Sequence, residues 1–515
     1  MTPRPIYMVA SENGALPGGK AGGVGDVLRD LPRALAARGH RVTVITPAYG
    51  KLHLLPDMRP AGDITAPFAG MQLPVDVYSQ QDGAGVRHVV FVHDQFDPDQ
   101  SGSIYHDDGA DRPFATDATK FALLSSAAAI WLLQHAADDA IIHLNDWHAA
   151  MVLVLRALDP TFAALSEYRM VLTLHNLALQ GIRPKRGDPS SFERWFPHLD
   201  DSHGLLDDPR YDDCINPMAA GIRLADAVNT VSPTNAREIL QPNDPARGFR
   251  GGEGLERILQ QADNEGRLNG ILNGCEYSVD KSRLSWKRLR EYTLHLLEAW
   301  QDNQPHYAGV HTLALESLAR YTDEPDIILT SVGRLTEQKL GLLLHRDHAG
   351  VSTLTRLLST LPDRGVLFML GSGGTGMEQD LVEHARQDAR LIFVRGFSDT
   401  LADACYRAGQ LFLMPSAFEP CGISQMLAMR AAQPCLVHAV GGLNDTVEHL
   451  VSGFSFSGDS VEAQATNCVA ALRLAQRVFF DEPDRWHLIA ETAAARRFEW
   501  ADAAAQYERA LYDLT

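Results

Sequence analysis

Short apolar runs alternate with stretches of helical spacing through most of the chain. Ile6–Ala10 has the unbroken apolar character of a buried strand, and Val27–Arg38 repeats its apolar positions at helical spacing. Arg41–Thr46 returns to strand character, so the segment reads as a βαβ unit, whose crossover requires parallel strands. Strands at Ile141–Leu144, Met170–Leu174 and Ala227–Val231 continue the series, the last with a helix from Pro233. The pattern then restarts with Ile327–Val332, Val366–Leu370, Leu391–Val394, Gln410–Met414 and Gln433–Val437. Parallel strands covered on both faces read as such continuous apolar runs. The fold class expected is α/β, with two doubly wound halves spanning 1–275 and 326–497. Residues 276–325 are polar, with a helical stretch at Trp286–Trp300, and read as a connecting segment. Residues 498–515 read as a terminal helix with apolar positions at Ala503, Ala504, Tyr507 and Leu511, expected to dock back on the first half.

Composition narrows the function. Lys and Arg total 46 against 65 Asp and Glu, a net charge of −19. That balance argues against non-specific nucleic-acid binding and against an anionic membrane surface. It suits a neutral polysaccharide, or an anionic small substrate if a few cations are placed locally. The apolar stretch near the N-terminus is too short for a secretory signal. The longest apolar run, Phe121–Ala137, is interrupted by Ser125, Ser126, Gln134 and His135 and falls short of the ~20 residues of a membrane span. The six cysteines form no CxxC pair, which reads as reduced thiols in a cytoplasmic protein.

Four strand-to-helix loops carry candidate chemistry. Gly18-Gly19-Lys20-Ala21-Gly22-Gly23-Val24-Gly25 follows the first strand, and its backbone N–H groups and Lys20 suit an anion at a helix start. It is not a P-loop, because Ala and not Ser or Thr follows the lysine. Gly371-Ser372-Gly373-Gly374-Thr375-Gly376 matches G-x-G-x-x-G. However, it follows the second strand of its half, and no acid ends the next strand at Val394-Arg395-Gly396, which argues against a dehydrogenase. Arg334 and Lys339 stand at the carboxyl end of Ile327–Val332, where two cations can grip a phosphate. Pro415–Gln425 offers Glu419 as an acceptor to hydroxyl groups and the N–H groups near Gly422 and Ile423 to a phosphate, with Cys421 read as a small packing residue. His148 and His175 each follow a strand end, where ligands of such sheets bind.

Taken in order, these motifs resemble bacterial glycogen synthases and plant starch synthases. The matching stretches are KAGGVGDV (20–27), YHDD (105–108), NDWHAA (145–150), LHNLALQG (174–181), 215–239, GILNG (270–274), GRLTEQK (333–339), MPSAFEPCGISQ (414–425) and GGLNDTV (441–447). The resemblance implies a GT-B fold, two facing Rossmann-like domains with the active site between them. It implies an acceptor-side domain in 1–275 and a nucleotide-sugar domain in 326–497. The reaction implied is retaining transfer of glucose from ADP-glucose, or UDP-glucose, to the 4-hydroxyl at the non-reducing end of an α-1,4-glucan. By the same resemblance Lys20, Gly22 and Gly23 hold the donor diphosphate, and Arg334 and Lys339 neutralise it as it leaves. Asp26, His148 and Asn273 line the donor sugar, Glu419 binds sugar hydroxyls, and Phe397 faces the adenine. Cys421, Gly422, Ile423 and Ser424 complete the substrate-binding set. No cofactor, metal, nucleic-acid or membrane partner is implied, and the setting is cytoplasmic. Ala417, Leu340 and Leu179 depart from the family pattern and point to the acceptor and phosphate contacts. Other readings are a GT-B transferase with another donor or a small-sugar acceptor, and a catalytically silent glucan-binding protein. Leu427 stands where sucrose- and trehalose-making relatives carry a second Glu.

Overall fold

The computed structural model describes residues 3–278, 282–303 and 305–514. They form two compact units, one of Met1–Asn243, Gly251–Gly274 and Glu499–Thr515, the other of Asp244–Arg250 and Cys275–Phe498.

The sheet of the first unit is built from β1 (Pro5–Val9), β2 (Arg41–Pro47), β3 (Arg59–Phe68), β4 (Met71–Gln81), β5 (Arg87–Val92), β6 (Ile141–Asn145), β7 (Arg169–Leu174), β10 (Ala227–Thr230) and β11 (Leu268–Gly270). A separate two-stranded ladder pairs β8 (Arg183–Pro184) with β9 (Cys214–Ile215). The large sheet runs in the order β11-β10-β7-β6-β1-β2-β5-β4-β3. It is parallel from β11 to β5, but β4 and β3 are antiparallel, so the expectation of a purely parallel sheet is corrected at this edge. There the chain returns by the tight turn at Ala69 and Gly70 and needs no crossover helix. Helices α1 (Gly23–Ala37), α2 (Ala115–His135) and α3 (Asp146–Leu158) pack in this unit. The apolar run expected at 121–137 is α2, buried along most of its length.

The last helix, Trp500–Gln506, continues as a π-helical turn at Tyr507–Leu511 and packs in the first unit. Trp500, Ala504, Tyr507 and Leu511 share one apolar cluster with Leu28, Leu31 and Leu35 of α1. Polar ties add direction. Arg38 holds the buried Glu508 carboxylate through two hydrogen bonds of 2.7 and 2.6 Å, and His40 lies 2.9 Å from it. Tyr507 and Tyr512 hydroxyls meet Asn229 and His143.

The second unit holds a fully parallel sheet of β12 (Ile327–Val332), β13 (Gly365–Gly371), β14 (Leu391–Arg395), β15 (Leu411–Met414), β16 (Cys435–His438) and β17 (Gly453–Phe456). Its order is β14-β13-β12-β15-β16-β17. Residues 276–325 do not behave as a separate connector. Helices Trp286–Asn303 and Ala308–Arg320 bury Trp286, Leu289, Leu297, Ala314 and Leu318 in the same cluster as Ile328, Val366 and Ile392 of this sheet. An apolar stripe on a largely polar helix is enough to dock it. Positions 279–281 and 304 of that segment lie outside the described residues. Among the described residues no single helix is long and apolar enough to cross a membrane.

Candidate active site

Ligands of open α/β sheets bind beyond the carboxyl ends of the strands, where the strand order reverses. That point lies between β1 and β6 in the first unit and between β12 and β15 in the second. Most of the expected site residues stand on the loops that leave these strands or in the first turns of the helices that follow.

In the first unit, Lys20 of the loop after β1 is ion-paired to Asp26 at 2.7 Å, and Arg29 also reaches Asp26 at 3.1 Å. The glycine-rich loop is not an empty anion cradle. The carboxylate of buried Glu12 accepts hydrogen bonds from the N–H groups of Ala21 (2.9 Å), Gly22 (2.6 Å) and Gly25 (3.2 Å). Gly22 is therefore corrected as an open phosphate donor, because its N–H is already taken by an internal anion. Gly23, the first residue of α1, is exposed and is not among the three.

Beyond β6, Asn145 donates to the Val9 carbonyl at 3.2 Å, tying the ends of β6 and β1 together. Asp146 begins α3 with φ of 55°, in the left-handed region, and accepts from the His175 N–H at 2.7 Å. Burial pushes its carboxyl up to about 7. Burial also drives His148 well below its ordinary value and brings His175 down to about 4, so both imidazoles are neutral at pH 7. The His148 ring is packed by Trp147, Phe121 and Tyr105, with centroids 4.2, 4.6 and 5.7 Å away. Its Nδ1 has no hydrogen-bond partner among the described residues, nor has Oδ1 of buried Asn273 just after β11. Two unsatisfied buried polar atoms beside strand ends are what a polar ligand satisfies.

In the second unit, Lys339 forms an ion pair with Glu419. Gln338 makes this meeting possible by bridging the two loops. Its carbonyl accepts from Ala417 N–H at 2.8 Å and its side chain donates to the Phe418 carbonyl at 3.0 Å. Arg334 and Lys339 line a small cavity of about 20 Å³ with Met369, Leu413 and Ser416, room for about one water. The G-x-G-x-x-G loop is tied to this turn. Leu335 N–H donates to Ser372, Gly374 N–H donates back to Leu335, and Gly373 N–H is held by Glu378.

The remaining expected residues lie nearby in the chain. Cys421 is buried, with its thiol 3.4 Å from the Gly422 carbonyl, as a packing residue would be. Ile423 and Ser424 open the helix Ser424–Arg430, and Gly442 N–H donates to the Glu419 carbonyl at 3.0 Å. Phe397, two residues past the end of β14, is 57% exposed. Among the described residues no group of three or more His, Cys, Asp or Glu side chains is placed to hold a metal ion. Glu12 acts in these loops without standing out in the sequence, because its partners are backbone groups and a remote tyrosine; Tyr105 and Gln338 lie in the matching stretches YHDD and GRLTEQK but carry no assigned role.

Comparison with known proteins adds an independent line. A family model described as Starch synthase catalytic domain matches residues 5–261, and one described as Glycosyl transferases group 1 matches 326–473. The chain is 34% identical over 522 residues to a glycogen synthase of Anaeromyxobacter sp. (strain Fw109-5), covering 98% of each. It is 31% identical to that of Myxococcus xanthus, covering 99% of each. Among solved structures it resembles the catalytic domain of starch synthase IV from Arabidopsis thaliana bound to ADP and acarbose. The TM-score is 0.78 at 23% identity, with 100% of this chain and 99% of that chain covered. Sucrose-phosphate synthase from Thermosynechococcus elongatus is similar at a TM-score of 0.57 and 19% identity, with 99% of each covered.

Proposed function

We propose a donor, an acceptor and a stereochemical course for this chain, which belongs to the glycogen and starch synthase family and is a glucosyltransferase. The reaction is transfer of glucose from ADP-glucose to the 4-hydroxyl at the non-reducing end of an α-1,4-glucan, with retention of configuration. One observation carries the reading: at the strand-order reversal of the second sheet Lys339 is ion-paired to Glu419 and lines a small cavity together with Arg334. A binding module needs no cations at a leaving group.

The chemistry follows from charge. The bond between the glucosyl C1 and the diphosphate oxygen breaks through an oxocarbenium-like state, leaving negative charge on the diphosphate. Arg334 and Lys339 stabilise that charge where it develops, which lowers the barrier more than it tightens the ground state. Lys20, with the N–H of Gly23, binds donor phosphate. Asp26, His148 and Asn273 hold the sugar, Glu419 its hydroxyls, and Phe397 stacks on the base. Cys421, Gly422, Ile423 and Ser424 shape the wall around it. Entry of the donor requires Lys20 to exchange Asp26, and Lys339 to exchange Glu419, for phosphate oxygens. The adenine nucleotide is supported by the ADP held in the Arabidopsis thaliana structure. A cytoplasmic setting is supported by the six sparse cysteines, none in a CxxC pair.

The test is release of nucleoside diphosphate from ADP-glucose and UDP-glucose, each with and without glycogen. Glycogen-dependent ADP release, with the new linkage cleaved by an α-1,4-specific amylase, is expected. Faster UDP release reassigns the donor. Absence of release with either donor, in a protein that still binds glycogen, overturns the enzymatic reading.

A further inference from the structure

Glu12 is 2% exposed, and among the described residues it has no basic partner within ion-pair distance. A buried unpaired carboxylate is costly unless hydrogen bonds replace its water. Here they do, and they divide by oxygen atom. Oε2 takes the N–H groups of Ala21, Gly22 and Gly25, and Oε1 accepts the Tyr105 hydroxyl at 2.8 Å. The carboxylate thus fills the loop from beneath as an internal anion and fixes the backbone that carries Lys20. The packing is close. A Cβ on Gly25 would stand 3.0 Å from Glu12 Oε2 and 2.8 Å from Lys20 Cγ.

The other end of this link is equally anchored. The Tyr105 hydroxyl also meets Ser11 Oγ at 3.0 Å, and its ring packs against that of His148. The segment around it is gripped by Lys120, whose ammonium is wholly buried. Lys120 donates to the Ile104 carbonyl at 2.5 Å and pairs with Asp117 at 2.9 Å, while His106 lies 3.2 Å away. One carboxylate therefore ties the loop bearing Lys20 to the wall bearing His148.

We infer that Glu12 is a positioning residue for the donor, holding the Lys20 loop in register with the Tyr105–His148 wall. This rests on the reading that the loop holds the donor diphosphate. Glu12 does not touch the donor. It sets the backbone from which Lys20 and Gly23 reach it. Gln at this position loses the negative charge and leaves one neutral carbonyl oxygen to accept from the three N–H groups, so the loop is held less tightly.

The experiment compares the full-length protein with Glu12→Gln and Tyr105→Phe. Steady-state kinetics are measured with ADP-glucose and glycogen, and amide hydrogen exchange is followed along residues 18–27. In Glu12→Gln the KM for ADP-glucose rises about tenfold or more, the KM for glycogen is unchanged, and exchange at Ala21, Gly22 and Gly25 quickens about tenfold. Tyr105→Phe moves the donor KM in the same direction by a smaller factor and guards against failure of the first variant to fold. A purely structural role would lower the folded fraction and leave the donor KM of the folded enzyme alone. Unchanged donor KM and unchanged exchange in folded Glu12→Gln overturn the inference. Wild-type protein that turns over no nucleotide sugar overturns the donor reading instead, and amide exchange still reports separately whether Glu12 holds the loop.

Discussion

The Lys339 ammonium is ion-paired to the Glu419 carboxylate, eighty positions away in sequence, across the strand-order reversal of the second sheet. The pair places a cation and a hydroxyl acceptor side by side before any substrate arrives. Lys339 is partly exposed and Glu419 nearly buried, so the cation is the member free to turn to a ligand. Lys339→Ala should therefore cost more in turnover than in binding. Turnover is expected to fall by about 2–4 kcal/mol of barrier, as when an oxyanion donor is lost. Steady-state kinetics with a nucleotide sugar, beside equilibrium binding of the nucleotide, check this. Unchanged turnover rejects the role.

Acid stability reports on the buried groups within β6 and just after β6 and β7. Burial holds His148 and His175 low, and brings His143 down to about 3. Below about pH 6.5 the unfolded chain gains protons on these imidazoles that the folded chain refuses, so stability falls as pH falls. Asp146 works in the opposite sense. Raised to about 7, it keeps its proton in the folded state where the unfolded state has lost it. It therefore removes stability as pH rises from its ordinary value towards 7. Asp146→Asn is expected to lose stability more steeply than wild type between about pH 6.5 and pH 4.5, with a constant difference above about pH 7.5. Urea denaturation across that range measures it.

Glu508 is the polar anchor of the C-terminal segment. Burial pushes its carboxyl up, but the hydrogen bonds and charges of Arg38 and His40 bring it below its ordinary value. Its contribution is present above that ordinary value and is lost as pH falls through the folded one. Because Arg38 is one-third exposed, Glu508→Gln is expected to cost about 2–3 kcal/mol, somewhat less than a wholly buried pair. The cost should shrink towards acid pH. Chemical denaturation at neutral and acid pH tests both statements.

Gly274 closes on the terminal helix. A Cβ there would lie 2.6 Å from the Trp500 ring and 2.6 Å from its backbone nitrogen. Gly274→Ala should destabilise by about 1–3 kcal/mol, the range for overpacking a filled core. Trp500 fluorescence during unfolding would show an earlier transition, whereas an unchanged midpoint would mean the segment yields freely.

Much of the architecture is written in local pattern. Ile327–Val332 is a strand with the bounds its apolar run suggests, because a strand covered on both faces has no polar side to blur it. Arg59–Phe68 is different. Pro60, Gly62, Asp63 and Pro67 break any apolar run, and only pairing with Met71–Gln81 at the sheet edge makes it a strand. The cations Arg334 and Lys339 are legible because strand-end loops are where ligands gather. The state of Gly22 is not, since the carboxylate that fills its loop lies ten residues earlier and meets it only after folding. The helix Trp286–Asn303 is recognisable as a helix, but its polar composition hides the stripe that docks it to the second sheet.

The C-terminal segment has a consequence for synthesis. The apolar face of α1, with Leu28, Leu31 and Leu35, is completed by Trp500, Tyr507 and Leu511. During translation those side chains emerge from the ribosome only after the whole second unit has been made. The first unit must therefore wait with an uncovered greasy face, while the second, whose strands are contiguous from β12 to β17, is free to collapse as it emerges. A nascent chain stalled before residue 499 is the form of this protein most prone to clump and the one a chaperone would hold.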